Sequence, residues 1–300
     1  MSLLTTVNTL RYITDHPLNK NRKAAALLAF LKWQAGIRLV SGPVVYQWIG
    51  TARFVVGKGD VGITQNVYCG LHDFSEMGYA LHVLRPDDLF VDIGANVGSY
   101  TVLASAVKGA RNYCFEPVPS IFARLLDNIA INKLAANVTA FNMGLSSEDG
   151  QLRFTTDLES GNHVIATDEE SLPSIMVPVR TLDSVLSGES PSMLKIDVEG
   201  FEGAILNGAK ATLGKQSLHS VILELNTSSS TRYGSAEEEV IRLLKEYEFS
   251  LYEYEPFSRQ LRPLNGKSQT GPNTLFLRNE AHIRERLAQS PRISVGWAEF

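Results

Sequence analysis

A glycine-containing turn follows a strongly apolar run near the middle of the chain. The stretch LFVDIGANVGSYT, residues 89–101, places Asp92 at the end of the run and Gly94 and Gly98 on either side of Asn96. Such a pattern predicts a strand, a tight turn and a helix whose first N–H groups face a ligand. In dinucleotide-binding turns the second glycine lets a pyrophosphate approach the backbone. Asn96 stands at that position, so the sequence favours a nucleoside without phosphates.

An acidic residue stands where a ribose acceptor is expected. The next apolar run ends in NYCFEP, and its Glu116 lies 22 positions after Gly94, near the ~20-residue offset of ribose-binding acids. The alternative role for Glu116 is a solvated carboxylate at a strand end. Asp92 either lies beside a cationic group of the ligand or caps N–H groups of the turn. S-adenosylmethionine fits this set, because it carries an adenosine and a positive sulfonium but no pyrophosphate.

The apolar runs predict one extended sheet. They alternate with helical patterns and lie at 89–93, 111–115, 137–142, 192–197 and 219–225. This alternation is typical of a doubly wound α/β domain, whose mostly parallel sheet is covered by helices on both faces. Two further runs, FSLYEY and NTLFLR, are joined by the polar segment 255–272. We expect them to form a long hairpin that closes the sheet.

Four stretches together resemble the FkbM family of S-adenosylmethionine-dependent methyltransferases: VDIGANVGSYT, FEPVPSIFARLLDNIAIN, TLDSVL and LKIDVEGFEGAIL. The resemblance covers about residues 60–230, and KIDVEGFE is its most specific part. It implies the class I methyltransferase (Rossmann-like) fold, with a seven-stranded sheet whose last strand is antiparallel. It also implies methyl transfer to a hydroxyl of a sugar, glycan or other small molecule. The identity of the acceptor does not carry over.

Length and charge bound the remaining organisation. We expect a partly helical N-terminal appendage at 1–60, the methyltransferase domain at 61–280 and a C-terminal extension at 281–300. The 28 basic and 32 acidic residues give a net charge of −4, so no nucleic-acid partner is expected. Two cysteines fit a reducing cytoplasm, and the segment AAALLAFL is too short to span a bilayer. The oligomeric state is not predicted.

The acceptor site is expected where two further strands end, because open α/β sheets bind ligands beyond the carboxyl ends of their strands. MLKIDVEG places Lys195 and Asp197 on one face of its strand, with Glu199 in the following loop. Asp197 is the first candidate for a general base and Glu199 the second. Their alternative role is helix capping and a local salt bridge to Lys195. Asn226, the last residue of VILELN, would orient acceptor hydroxyls.

A metal site is a further alternative at the same strand ends. Asp197, Glu224 and Asn226 form an oxygen-rich set of the kind that coordinates Mg²⁺. No local ligand motif accompanies them, so a metal is not predicted outright.

Two outlying segments contain further candidates for the cofactor site. Glu76, in YCGLHDFSEMGY, either lies near the ribose or methionyl end of the cofactor or belongs to a plain connector. MGLSSEDG contains Ser146, a candidate adenine contact.

Three rival functions remain open at this point. A nicotinamide oxidoreductase is disfavoured by Asn96, and an RNA methyltransferase is disfavoured by the acidic balance. A non-catalytic nucleoside-binding module is the rival from another class.

Overall fold

The protein is described by a computed structural model that covers residues 3–57, 60–158, 161–166, 169–225, 233 and 237–300. Within these ranges the α-helices are α1 Leu3–Asp15, α2 Lys23–Leu39, α3 Val61–Cys69, α4 Phe74–Val83, α5 Ser99–Val102, α6 Pro119–Ile131, α7 Leu182–Val185, α8 Glu202–Asn207, α9 Lys210–Leu213, α10 Glu237–Glu246 and α11 Glu280–Gln289. A π-helical turn, Leu103–Val107, continues α5.

The strands are β1 Val44–Gln47, β2 Arg53–Val56, β3 Leu89–Ile93, β4 Arg111–Phe115, β5 Val138–Phe141, β6 Gly144–Leu145, β7 Gly150–Thr155, β8 Ser174–Arg180, β9 Met193–Ile196, β10 Ser220–Glu224, β11 Ser250–Glu255, β12 Gln260–Pro263, β13 Asn273–Leu277, β14 Ser294–Val295 and β15 Ala298–Glu299. The central sheet has the order β12-β11-β13-β10-β9-β3-β4-β5. The five strands that the apolar runs predict all belong to it.

The order of the central sheet identifies the fold class. Its first five strands along the chain are β3, β4, β5, β9 and β10, and all are parallel to their neighbours among the five. When these five are numbered 1 to 5 along the chain, they lie side by side in the order 3-2-1-4-5. This is the order of the doubly wound Rossmann-like sheet, and the order in which the strands follow one another along the chain reverses between β3 and β9. The last strand, β13, is antiparallel to both of its neighbours. The class I methyltransferase fold is therefore confirmed.

The C-terminal part of the sheet differs from the expected closing hairpin. Strand β13 pairs with β11 but lies between it and β10, and the connecting segment contributes an eighth strand, β12, at the edge. All five residues of β13 are buried, whereas three of the four in β12 are exposed. A strand buried on both faces needs neighbours on both sides, so the apolar strand is internal and the polar one forms the edge.

The largest hydrophobic cluster joins all three predicted parts of the chain. Trp48 and Phe54 from the N-terminal part pack in the same cluster as Tyr79 of α4 and Phe300 at the C-terminus. One continuous core therefore contains side chains from each part. The division into appendage, domain and extension remains a prediction. Both cysteines are free and buried. Among the described helices, none has the length and apolar character that crossing a membrane requires.

Two asparagines, one on α6 and one at its C-terminal cap, attach strand β2 to the central domain. The Asn128 side chain accepts a hydrogen bond from the Val55 N–H and donates one to the Val97 carbonyl, both at 2.7 Å. One helical turn later, Asn132 makes the equivalent pair of bonds to the backbone of Arg53. Because Val97 belongs to the glycine turn, Asn128 joins β2, α6 and that turn.

Replacement of Asn128 by alanine tests this attachment. Asn128→Ala leaves a backbone N–H and a carbonyl without partners, so we expect the free energy of unfolding to fall by about 1–3 kcal/mol. Urea unfolding at equilibrium measures the change. Leu126→Ala on the same helix is the control, because Leu126 is 43% exposed and should change stability by less than about 0.5 kcal/mol. Equal losses in the two variants would contradict the linking role.

Candidate active site

The turn after β3 packs against the end of β9. Gly94 has a φ of 78°, and the N–H groups of Gly94 and Ala95 donate to the Phe115 carbonyl at 3.1 and 2.9 Å. A Cβ atom on Gly94 would overlap the carbonyl oxygen of Asp197. Only glycine fits this position, which lies at the switch point of the sheet, where Rossmann-like folds bind their ligands.

Asn96 takes a left-handed backbone conformation that few residues other than glycine tolerate. Its φ is 51°, and its side-chain oxygen accepts a hydrogen bond from the Val97 N–H at 2.7 Å. Local bonding of this kind is why asparagine is accepted in this region of backbone space. Its own N–H donates to Glu116 at 3.0 Å. Asn96 thus shapes the turn and also lines the adjacent cavity.

Glu116 is a buried acceptor, and the alternative of a solvated carboxylate is wrong. The residue is 5% exposed, and its two oxygens accept from the N–H groups of Asn96 and Val118 at 3.0 and 2.9 Å. Burial raises the pKa of Glu116 to about 7, although both N–H groups lower it. Each carboxylate oxygen has two lone pairs, so both keep capacity for a further donor such as a ribose hydroxyl.

Asp92 lies at the floor of the same region. It is 2% exposed and accepts a hydrogen bond from the Thr101 hydroxyl at 2.6 Å, so it is fixed by α5. Burial raises the pKa of Asp92 to about 6, and the Thr101 bond opposes this shift. Its position on the cavity wall leaves it available to a cationic group of a ligand.

Lys195 organises the carboxyl groups at the end of β9. Its side chain is buried, and its ammonium donates to Asp197 at 3.0 Å and to the side-chain oxygen of Asn273 at 3.1 Å. Burial lowers the pKa of Lys195, but the surrounding carboxylates, led by Asp197, raise it above its usual value. Lys195 therefore supplies a fixed positive charge beneath the partly exposed carboxylate.

Asp197 and Glu224 share one proton. Burial raises the pKa of Asp197, but Lys195 and a hydrogen bond from Glu224 bring it below its usual value. Burial and the neighbouring Asp197 raise the pKa of Glu224 far above its usual range. The pair is therefore an ionised Asp197 that accepts from a protonated Glu224.

Glu199 joins this pair as a third carboxyl group. One carboxylate oxygen from each of Asp197, Glu199 and Glu224 lies within 4.8 Å of the others. Asn226, which the sequence predicts to orient the acceptor and which belongs to the alternative metal set, lies outside the described residues. The oxygen donors suit a hard cation such as Mg²⁺. Their charge is already balanced in part by Lys195 and by the proton on Glu224.

These groups surround a polar cavity of about 280 Å³. Its wall contains the predicted residues Asp92, Gly94, Asn96, Lys195, Asp197, Glu199 and Glu224. Sequence reasoning missed Tyr100, whose ring lies 5.5 Å from the Lys195 ammonium and whose hydroxyl donates to Asp73 at 3.0 Å. Its position directly after the glycine turn, in GSYT, was the available signal.

A small, mainly apolar cavity also borders Gly94. Its walls include Phe115, Met143, Phe154 and Val164, of which the last two belong to the β6-β8-β7 region inserted after β5. Apolar walls of this kind suit a nucleobase, but the cavity measures only about 30 Å³, so the walls would have to separate to admit one.

Two predicted cofactor residues, Ser146 and Glu76, do not line the polar cavity beside Gly94. Ser146 lines neither of these two cavities: its N–H donates to the Arg180 carbonyl, and its own carbonyl packs against Gly208. The pairing of β6 with β8 directs this residue into the core. Glu76 lies in the first turn of α4 and faces a neighbouring, larger cavity.

The sheet order, with the glycine turn after β3 and the buried acid after β4, defines the class I methyltransferase fold. The model of the Methyltransferase FkbM domain matches residues 92–251, which is more than half of the 300-residue chain. The chain therefore belongs to the FkbM methyltransferase family, which confirms the resemblance seen in its motifs.

Two relatives indicate the chemistry within the family. The chain is 30% identical over 177 residues to the hexuronic acid methyltransferase AglP of Haloferax volcanii, covering 57% of this chain and 66% of the relative. It is 33% identical over 106 residues to the 31-O-demethyl-FK506 methyltransferase FkbM of Streptomyces tacrolimicus, covering 33% of this chain and 40% of the relative. The chain thus spans less than two thirds of the length of either relative.

The crystal structure of methyltransferase FkbM from Methylobacillus flagellatus KT is similar at 16% identity, with a TM-score of 0.45, over 72% of this chain and 52% of that chain. The strand order of the central sheet identifies the fold independently of this likeness.

Alanine at Gly94 tests the contact between the turn and β9. Gly94→Ala combines a left-handed backbone with overlap of the Asp197 carbonyl, so the free energy of unfolding should fall by about 2–5 kcal/mol. Gly50→Ala is the matched control, because Gly50 has a φ of 55° and no atom within 4 Å of the point where an added Cβ would lie. That variant should lose only about 1–2 kcal/mol. If urea unfolding gave the same loss for both, the contact would not constrain the turn.

Proposed function

We propose that the protein is an S-adenosylmethionine-dependent O-methyltransferase that acts on a hydroxyl of a sugar or similar small molecule. The observation that carries the proposal is the position of the ionised Asp197 directly beside the Gly94 turn, across the switch point of the sheet. Membership of the FkbM family and the sugar and macrolide acceptors in the names of its relatives support it.

The cofactor would span both cavities. Its adenine would lie between the apolar walls near Phe115 and Met143, and its ribose hydroxyls would donate to Glu116. Its methionine part would occupy the polar cavity, where Asp92 would attract the amino group or the sulfonium. Asn96 narrows the turn at the point where a dinucleotide would place its pyrophosphate.

The chain's own residues would align the acceptor and take up its proton. S-adenosylmethionine would supply the methyl group to the acceptor oxygen and leave as S-adenosylhomocysteine, and Asp197 would take up the hydroxyl proton of the acceptor. Lys195 holds Asp197 in place and keeps it ionised. The same interaction weakens Asp197 as a base, so alignment of the reacting atoms would supply most of the rate enhancement.

The carboxyl cluster can serve this reaction without a metal. Asp197, Glu199 and Glu224 offer oxygen ligands that fit Mg²⁺, which would polarise the acceptor hydroxyl when bound. The Lys195 ammonium already lies 3.0 Å from Asp197 and supplies positive charge at that point. We therefore assign the proton transfer to the protein's own groups.

Cofactor choice is the first test. S-adenosylhomocysteine should bind with a Kd in the micromolar range, roughly −8 kcal/mol, while NAD should not bind, because Asn96 obstructs a pyrophosphate. Isothermal titration calorimetry of the full chain with each ligand measures the difference. Tighter binding of NAD would remove the methyltransferase assignment.

The pH dependence of S-adenosylhomocysteine binding tests Glu116. The ionised carboxylate accepts ribose hydroxyls, and burial raises its pKa to about 7, so affinity should increase as the pH rises from about 6 to about 8. Glu116→Ala should weaken binding by about 1.5–3 kcal/mol and flatten the pH profile between about pH 6 and about pH 8. Circular dichroism of the variant checks that the fold is retained. An unaltered affinity in a folded variant would exclude contact with the ribose.

Asp197→Asn tests the base. The substitution keeps the size of the side chain and removes its charge, so methyl transfer should fall at least about 10²-fold while S-adenosylhomocysteine affinity changes little. Asp149→Asn is the control, because Asp149 is exposed and contacts Arg180 and Thr181 instead of the cavity. EDTA should leave the parent rate unchanged. Loss of activity in EDTA that Mg²⁺ restores would make Asp197 a metal ligand, and a parental rate in Asp197→Asn would exclude both roles.

A further inference from the structure

A second cavity of about 910 Å³ adjoins the polar cavity beside Gly94. The two share Gln65 and His72, which line both. The second cavity lies between the end of α1, the start of α4 and the loops that flank β11 and β12. Its volume is large enough for a sugar-sized or larger molecule.

A fixed carboxylate lies in the wall near the junction. Asp73 accepts a hydrogen bond from the Tyr100 hydroxyl at 3.0 Å and is 3.1 Å from the ring nitrogen of His72. Burial raises the pKa of Asp73, but His72, Lys195 and Tyr100 together hold it far below its usual range. A ligand that reaches from the second cavity toward the first therefore passes an ionised group.

The titratable lining of the second cavity is predominantly acidic. It contains two permanent cations, Lys20 and Arg262, against five carboxyl groups, namely Asp15, Asp73, Glu76, Glu253 and Glu255. Some of these carboxyl groups already have partners. Glu253 accepts from the Thr270 hydroxyl at 2.6 Å, and Asp15 lies 3.5 Å from the Lys23 ammonium.

Glu76 is the carboxyl group in this cavity that most lacks compensation. Within the described part of the chain, its side chain makes no hydrogen bond or ion pair with another side chain. Burial and the nearby Asp73 raise the pKa of Glu76 to about 8, so the Glu76 carboxyl group keeps its proton at neutral pH. A cationic ligand would oppose this shift, because its positive charge would favour the ionised form of Glu76.

Aromatic rings provide the apolar part of the lining. Phe74 and Phe257 lie 5.0 Å apart between ring centroids, and Tyr12 and Tyr254 also face the cavity. Aromatic faces pack against the apolar face of a ring and attract cations through their quadrupoles. The lining thus combines surfaces for a ring with acceptors for hydroxyl and ammonium groups.

We propose that this second cavity binds the methyl acceptor and selects a hydroxylated ring that bears a cationic amino group over one that bears a carboxylate. The proposal rests on the proposed function, and it separates this protein from the relative named for hexuronic acid. A carboxylate would meet like charges in the cavity, and such juxtapositions are strongly unfavourable across an interface. Tyr12 and Lys20 make the N-terminal part of the chain a component of the acceptor site.

Three methyl glycosides provide the test, since they share a pyranose ring and differ in charge: methyl β-glucosaminide, methyl β-glucoside and methyl β-glucuronide. Each is titrated by calorimetry at pH 7 into the full chain, both with and without saturating S-adenosylhomocysteine. The glucosaminide should bind at least about tenfold more tightly than the glucuronide, with the glucoside between them. Its binding should also release a proton, which appears as a dependence of the enthalpy on the ionisation enthalpy of the buffer.

Glu76→Gln is the diagnostic variant and Glu148→Gln, at an exposed position outside the cavity, is its control. Glu76→Gln should reduce the preference for the glucosaminide at least about threefold and abolish the proton release, while Glu148→Gln should change neither. Equal or tighter binding of the glucuronide, absence of binding by all three, or an unchanged preference in Glu76→Gln would overturn the proposal.

The outcomes also separate this inference from the proposed function. Charge preference is read from binding, so it does not depend on turnover. A protein that binds S-adenosylhomocysteine and methylates hydroxyl acceptors but prefers the glucuronide would retain the proposed function and lose the inference. A protein that prefers the glucosaminide but does not bind S-adenosylhomocysteine would lose the methyltransferase assignment instead.

Discussion

The close packing of Gly94 against the Asp197 carbonyl is the constraint on which the site depends. The two residues directly follow the neighbouring parallel strands β3 and β9, and they are 103 positions apart in the chain. No side chain fits between them. The turn that would hold the cofactor and the carboxylate that would receive the acceptor proton are therefore held at contact distance by the sheet itself.

Charge balance is the second requirement that this packing creates. Lys195 is buried in the middle of β9, where an isolated ammonium would be very unfavourable. Hydrogen bonds to Asp197 and Asn273 compensate for it, and the proton shared between Asp197 and Glu224 limits the accumulated negative charge. The cluster is thus stable because its members neutralise one another. Removal of any one member would leave another buried and unpaired.

The N-terminal part of the chain is joined to both ligand cavities. Asn128 links β2 to the backbone of Val97 in the glycine turn, and residues of α1 and the segment after it line the larger cavity. The N-terminal part and the remainder of the chain therefore share a hydrophobic core and the walls of the ligand cavities. A change in its packing should be transmitted to the turn through a small number of hydrogen bonds.

The amino-acid sequence by itself determined the parallel strands, the glycine turn, the place of Glu116 at the end of the following strand, and the family. These features depend on local periodicity and on short motifs, which are present before any long-range contact forms. The internal position of β13, the core location of Ser146 and the position of Glu76 in the larger cavity were decided only by tertiary structure. Tertiary structure alone also brings Asp73, Tyr100 and Lys195 into contact. Their side chains come from separate segments, and only the completed sheet brings their polar atoms close together and removes them from water, which sets their charge.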